Sequence, residues 1–281
     1  MTAKKIYGLI GWPVKHSLSG FMHNAGFSYY KLNACYKLFP LKENELENFL
    51  RSLSKNNIYG LNVTIPYKEK VIKYLDWKSP EVRFCGASNT ILVEKNNYLK
   101  GYNTDGIGFI RHLVYDLKFN PKDKNVLILG AGGAAKAITH QLARRKVASI
   151  TIYDIDKEKA RNLKEKLSEE FKDCKIQNVS FLEEVNFKDI NLLINATPCG
   201  LDENDPSPLK EEFLHKDMLV YDLIYNPPQT KLLKLAKKIG AKTSNGLGML
   251  LYQGMRAFEI WTEKKAPKRI MQEALLKAIE K

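Results

Sequence analysis

Asn125-Val126-Leu127-Ile128-Leu129-Gly130-Ala131-Gly132-Gly133-Ala134-Ala135 reads as a buried strand running straight into a glycine turn and a helix. The apolar run before Gly130 marks a strand covered on both faces, as in a parallel sheet. Gly130 permits a tight turn, Gly132 lets the backbone approach a pyrophosphate, and Ala135 allows close helix–strand contact. Ile138 and Leu142 continue the segment as a helical stripe. The next strand, Ser149-Ile150-Thr151-Ile152-Tyr153, ends at Asp154, about the spacing expected for a ribose contact. A plain βαβ turn with a helix-capping aspartate is the alternative. The fingerprint in its strand–turn–helix context predicts a Rossmann dinucleotide-binding domain, with Gly130, Ala131, Gly132, Gly133, Ala134 and Asp154 against the cofactor. Further strands are expected at 191–195 and 218–222.

Working outward, the first hundred residues also alternate. Strands are expected near 5–11, 34–39, 58–65 and 86–94, and helices near 19–31, 43–55 and 66–75. That order predicts a second, mostly parallel α/β sheet. Lys95-Asn96-Asn97 separates two short apolar runs and suggests a hairpin at its edge. A helix is expected to begin near Asp105 and lead into the second domain. From about Leu247 the chain reads as two amphipathic helices divided at Pro267, able to pack on either domain.

Composition bounds the function. The 281 residues suffice for two domains, and 44% hydrophobic with 10% aromatic residues support a real core. No apolar run approaches the roughly 18–20 residues that span a bilayer, and the N-terminus lacks a leader pattern. Cys35, Cys85, Cys174 and Cys199 are scattered and read as reduced thiols of a cytoplasmic protein. The five histidines show no metal-ligand spacing, so no metal is expected. The net charge of +14 comes from lysine spread along the chain, without a recognition motif, which argues against a nucleic-acid partner. A small-molecule substrate is the expected partner, with the chain a monomer or homodimer.

The chemistry concentrates in short segments after strands. Asn62-Val63-Thr64-Ile65-Pro66-Tyr67-Lys68 carries a strand into a proline suited to a helix start. Lys68 is then expected in the first helical turn, at the rim where open α/β sheets bind ligands. The positive end of the helix dipole there would favour release of its proton. Gly11 to Ser19, reading GWPVKHSLS, presents Ser17 and Ser19 before a helix, where hydroxyls and N–H groups suit a carboxylate. Ser19 alone could equally be a helix cap. Gly86-Ala87-Ser88-Asn89-Thr90 offers an amide, and Gly101-Tyr102-Asn103-Thr104-Asp105 offers a carboxylate able to pair with Lys68.

Taken together, these segments resemble the shikimate dehydrogenase family nearly end to end. GWPVKHSLSGFMHN at 11–24, NVTIPYK at 62–68, GASNT at 86–90, GYNTD at 101–105, GAGGA at 130–134, NAT at 195–197 and NGLGMLLYQG at 245–254 follow in family order. The resemblance implies a substrate domain of residues 1–104 completed by about 247–281, and a Rossmann domain of 105–246. It implies interconversion of 3-dehydroshikimate and shikimate with a nicotinamide cofactor, on the route to aromatic amino acids. Lys68 is then the proton-transfer residue and Asp105 its partner. Ser17 and Ser19 hold the substrate carboxylate, while Asn62, Thr64, Asn89, Asp105 and Gln253 bind ring hydroxyls. Tyr225 reaches the substrate from the cofactor side, and Leu223 and Gly246 join the cofactor set.

One segment departs from the family pattern. Members that prefer NADP carry an Asn-Arg-Thr-like segment after the second Rossmann strand, where this chain has Asp154-Ile155-Asp156-Lys157. The missing arginine and the two carboxylates favour NAD over NADP. They also bring in an NAD-dependent quinate/shikimate dehydrogenase as an alternative, with a non-catalytic dinucleotide-binding regulator more distant. The serine pair in HSLS resembles the shikimate-selective pattern.

Overall fold

A computed structural model of the chain describes residues 3–279 and divides into two compact units. One comprises the residues up to Gly108 together with those from Leu251 onward, and the other runs from Phe109 to Leu250.

The first unit is built on strands β1 (Lys5–Gly11), β2 (Ala34–Pro40), β3 (Ile58–Val63), β4 (Trp77–Lys78), β5 (Thr90–Val93) and β6 (Leu99–Tyr102). They lie in the order β2-β1-β3-β5-β6-β4. The β1/β2 and β1/β3 pairs are parallel, because helices α1 (Ser19–Tyr29) and α2 (Leu46–Arg51) return the chain between successive strands, and β4 pairs parallel with β6. β5 runs antiparallel to both β3 and β6, the latter through the Lys95-Asn96-Asn97 hairpin. Asn96 and Asn97 both take φ of 58° there, a left-handed geometry that asparagine tolerates well.

Three local expectations are corrected. The helix read over 66–75 is absent: Pro66 to Glu69 form a turn, followed by a 3-10 stretch at Lys70–Tyr74. The strand read over 86–94 begins only at Thr90, because a short helix α3 (Pro80–Cys85), capped by the Ser79 side chain, precedes it. Gly86 ends that helix in the left-handed conformation at φ 65°, which glycine adopts without a steric penalty. The helix read over 43–55 is a six-residue α2 flanked by 3-10 turns.

The C-terminal helices α8 (Leu247–Thr262) and α9 (Lys268–Ile279) break at the expected Pro267 region, and α9 packs on α1. Trp261 of α8 stacks on Tyr7 at 5.2 Å and donates its indole N–H to Ile91 O at 2.9 Å. A Cβ on Gly60 would lie 2.4 Å from that indole nitrogen, so the glycine makes room for the ring.

The second unit is a six-stranded, wholly parallel sheet of β7 (Asn125–Leu129), β8 (Ser149–Tyr153), β9 (Lys175–Asn178), β10 (Leu192–Asn195), β11 (Leu219–Asp222) and β12 (Lys242–Ser244). The order β12-β11-β10-β7-β8-β9 reverses direction at β7, the strand that leads into the glycine turn. Ligands bind at such switch points in open α/β sheets. Val126, Leu127 and Ile128 are wholly buried, and truncating Leu127 to alanine should cost about 2–5 kcal/mol. Helices α5 (Gly133–Arg144), α6 (Lys157–Glu170) and α7 (Lys231–Lys238) complete this α/β unit. Among the described residues no helix is long and apolar enough to cross a membrane.

His23 of α1 is fully buried, stacks on Tyr36 at 4.6 Å, and meets the Asn62 side chain. Burial lowers its pKa from 6.5 to about 3, so the folded protein holds a neutral ring. The unfolded chain takes up this proton below pH 6.5 and the folded chain does not, so stability is full above 6.5 and lost as pH falls towards 3. The loss should approach ~1.4 kcal/mol per pH unit from this one group. Denaturant unfolding between pH 7 and 5 should show that slope, and His23→Leu should remove about one proton's worth of it.

Candidate functional site

The Lys68 side chain is placed by the residue before it. Tyr67 is buried in the core of the first unit and donates its hydroxyl to Leu41 O at 2.6 Å. Its N–H donates to Thr64 O at 2.9 Å, closing the turn that follows β3. With Tyr67 turned inward, Lys68 is half-buried at the sheet edge, and its own carbonyl accepts from Ser88 N at 2.8 Å. The helix on which the dipole argument depends is missing, so charge pairing is the relevant interaction. Lys68 Nζ lies 2.6 Å from Asp105 Oδ2. The carboxylate is the more enclosed partner, its side chain 7% exposed against 26% for the lysine.

Asp105 opens α4 (Asp105–Arg111), and its N–H donates to Asn103 Oδ1 at 3.1 Å. Its Oδ1 accepts from Asn89 Nδ2 at 2.7 Å, so one oxygen faces a cation and the other an amide. The orientation of Asn89 is set in turn by Thr104, whose N–H donates to Asn89 Oδ1 at 2.8 Å. Gln253 Oε1 approaches Asn89 Nδ2 at 3.4 Å and Thr104 Oγ1 at 3.5 Å. Asn62 contacts the same cluster through Asn89 O and Thr90 Oγ1, at 3.3 and 3.2 Å. Lys68, Asp105, Asn89, Asn62 and Gln253 are thereby brought together from four separate segments. Thr104 and Tyr67 belong to the arrangement as well, though sequence reasoning assigned them no role. Thr104 lay inside the quoted GYNTD segment, whereas only the buried phenol marks Tyr67.

Ser17 and Ser19 lie between β1 and α1. Ser19 is the first residue of α1, and its N–H approaches Ser17 Oγ at 3.3 Å. The helix cap is Leu18 without a side-chain bond, so neither serine serves as a simple cap. Thr64 is half-buried after β3, its methyl 2.4 Å from where a Cβ on Gly11 would stand.

The second unit carries the remaining residues. Gly130 turns the chain at φ 102°, and a Cβ there would lie 2.9 Å from Ala196 O. Gly132 caps α5, and nothing lies within 4 Å of where its Cβ would be. The backbone at Gly132 is thus bare at a helix N-terminus, which fits a dinucleotide pyrophosphate. Ala131 N donates to Asp154 Oδ2 at 2.7 Å, tying the glycine turn to the end of β8. Asp154 Oδ1 accepts from Asp156 N at 2.8 Å. Lys159 pairs with Asp156 at 3.1 Å, and Lys157 Nζ rests 4.5 Å from the Phe181 ring centre. Ile155 stands 91% exposed where the family's NADP-preferring members carry arginine.

Leu223 and Gly246 meet closely: a Cβ on Gly246 would lie 1.9 Å from Leu223 O, so only glycine fits. Asp222, fully buried at the end of β11, accepts from Asn195 Nδ2 at 3.0 Å, Ile224 N at 3.1 Å and Thr230 Oγ1 at 2.7 Å. Burial pushes its carboxyl up, and those three donors work against the shift. The Asp222–Ile224 bond fixes the loop that carries Tyr225, which is half-buried, its phenol pushed up by burial.

Comparison with known proteins identifies relatives along nearly the whole chain. Residues 9–91 match the shikimate dehydrogenase substrate binding domain, and 246–276 match the shikimate 5'-dehydrogenase C-terminal domain. Residues 126–259 match the saccharopine dehydrogenase NADP binding domain. A shikimate dehydrogenase (NADP(+)) of Caldanaerobacter subterraneus is 46% identical over 92% of this chain and 91% of its own. A crystal structure of a shikimate dehydrogenase in complex with NADP+ superposes with a TM-score of 0.91 at 41% identity, covering 99% of this chain and 96% of the other. The Listeria monocytogenes shikimate 5-dehydrogenase, solved with shikimate and NAD, gives 0.89 at 35% identity over 97% and 96%. On this identity, sustained over nearly the whole of both chains, the protein belongs to the shikimate dehydrogenase family.

Proposed function

We propose that this protein is a shikimate dehydrogenase, an oxidoreductase that interconverts 3-dehydroshikimate and shikimate with a nicotinamide cofactor. The observation that carries the reading is the Lys68–Asp105 pair at 2.6 Å, set among the amides of Asn62, Asn89 and Gln253. A bound nicotinamide supplies or accepts the hydride. The chain's residues handle the proton and the position. As a ring ketone is reduced, negative charge grows on its oxygen, and an ammonium at Lys68 can donate the matching proton. In the reverse direction the neutral amine takes the hydroxyl proton, and Asp105 Oδ2 stabilises the ammonium that forms. Asp105 keeps its orientation through Asn89, so the carboxylate remains available to a ring hydroxyl. Asn62, Thr64 and Gln253 offer further donors and acceptors for ring hydroxyls. Ser17 and Ser19, with the N-terminus of α1, suit a carboxylate. By the family resemblance, Tyr225 is assigned to the substrate from the cofactor side.

Residues Gly130 to Ala134, Asp154, Leu223 and Gly246 are assigned to the cofactor. Preference for NAD is the finer part of the proposal. Asp154 keeps a lone pair on each oxygen for ribose hydroxyls, whereas the 2′-phosphate of NADP would bring about −1.5 to −2 charges against it. Lys159 is already paired with Asp156, and Lys157 is drawn over Phe181, so neither cation stands ready for that phosphate. The Caldanaerobacter relative is named for NADP+, and the Asp154 segment is the reason to expect this chain to differ.

Three measurements test the proposal. Lys68→Ala should lower kcat by about 10²–10⁴-fold with a smaller change in KM, and a variant keeping more than about a tenth of wild-type kcat removes Lys68 from the chemistry. Steady-state kinetics of shikimate and quinate with NAD and NADP should give the highest kcat/KM for shikimate with NAD. A ratio favouring NADP rejects the role of Asp154, and equal use of quinate rejects shikimate selectivity. Gly132→Ala should leave thermal stability within about 0.5 kcal/mol, since its methyl meets no protein atom, yet weaken cofactor binding about tenfold or more. Unchanged affinity by titration calorimetry would place the cofactor elsewhere.

A further inference from the structure

Tyr36, at the middle of β2, is buried between two residues assigned to the substrate. Its hydroxyl donates to Asn62 Oδ1 at 2.8 Å, and the Ser19 hydroxyl interacts with the same phenol. The ring is held on several sides. It stacks on His23 at 4.6 Å with 3° between planes, and the backbone N–H of Tyr36 donates to Asn24 Oδ1 at 2.8 Å. His23 also meets the Asn62 side chain, so the stacked imidazole and phenol line one side of that amide, and the short hydrogen bond there comes from the phenol.

A carboxamide can rotate by half a turn at little steric cost, and doing so exchanges its donor for its acceptor. The two bonds from Asn62 Nδ2, to Asn89 O and Thr90 Oγ1, are long at 3.3 and 3.2 Å. The short bond is the one from the Tyr36 hydroxyl to the amide oxygen, and Asn89 O, which can only accept, faces the amide nitrogen, so the two contacts set the amide's ends from opposite sides. Burial pushes the phenol's pKa far above its ordinary value, so the hydroxyl remains a donor throughout the working range.

We propose that Tyr36 is a positioning residue for substrate recognition: its hydroxyl fixes the Asn62 carboxamide in the one orientation that serves the bound ring, and links that amide to the serine beside the substrate carboxylate. The inference rests on the assignment of Asn62 and Ser19 to the shikimate site. A residue acting this way changes how well the ring is held and leaves hydride transfer and cofactor binding largely alone.

Tyr36→Phe keeps the stacked ring and removes only the hydroxyl. Its KM for shikimate should rise about tenfold, with kcat within about threefold and the cofactor KM unchanged. KM does not depend on how much of a preparation is folded, so partial destabilisation leaves the readout intact. In an Asn62→Ala background, Tyr36→Phe should add no further change in KM, because the group it positions is gone. Wild-type KM in Tyr36→Phe, equal multiplicative effects in the two backgrounds, or a failure of Tyr36→Phe to fold would each overturn the inference. Absence of shikimate turnover by the wild-type enzyme would instead reject the function on which it rests.

Discussion

A half-buried ammonium 2.6 Å from a nearly enclosed carboxylate is the interaction around which the first unit is arranged. Such a carboxylate needs donors on both oxygens, since desolvation is repaid only by pairing and hydrogen bonding. Lys68 serves one oxygen and Asn89 the other, and Asn89 is itself fixed by the Thr104 N–H. These groups follow β3, precede β5 and follow β6, so the sheet must bring three strand ends to one edge. The antiparallel placement of β5 does that: Thr90 pairs with Asn62 on one side and with Tyr102 on the other. In an all-parallel sheet the start of β5 would lie at the opposite edge from the end of β3, and Asn89 would be a strand length away from Lys68.

The same geometry explains what was legible in the sequence. The Rossmann unit could be read because each of its devices is local: an apolar strand, glycines at a turn, an acidic residue after the next strand. The hairpin at Lys95-Asn96-Asn97 and the helix break near Pro267 were local too. The helix expected after Pro66 was not there, because a proline that can open a helix can also sit in a turn. The deciding factor was Tyr67, whose burial against Leu41 is a tertiary contact with no sequence signature. Residues 80–85 were missed for a related reason, since a six-residue helix is too short to show a period. The site residues were legible as motifs, but the bonds joining Asn62, Asn89 and Gln253 were not, because amide orientation is a property of the folded cluster.

Glycine illustrates two kinds of constraint within one turn. Gly130 is required by its own neighbours, since its φ of 102° and the Ala196 carbonyl both exclude a side chain. Gly132 has ordinary backbone angles and open space beside it, so nothing in the protein demands glycine. At such a position the proposed close approach of a cofactor would account for glycine where the fold itself would accept alanine. Gly246 is of the first kind, pressed on the Leu223 carbonyl, so the packing alone already requires glycine there.

On the proposed assignment, Asp154 would tie cofactor choice to that turn. Its two oxygens accept from Ala131 N and Asp156 N, so the carboxylate holds the glycine loop before any ribose arrives. Asparagine offers a single acceptor oxygen and could satisfy only one of those N–H groups, leaving its amide to compete with the other. The loop would then have to shift, or Asp156 N would have to find another acceptor. Exchange at this position therefore alters two things at once: the charge met by a 2′-phosphate and the seat of the pyrophosphate turn. A switch of cofactor that replaced Asp154 alone would weaken the binding of both nucleotides, and one that also supplied a cation at Ile155 would recover only the phosphate half. If Asp154 meets the ribose as proposed, selectivity would depend on the turn's internal hydrogen bonds as much as on the charges displayed beside it.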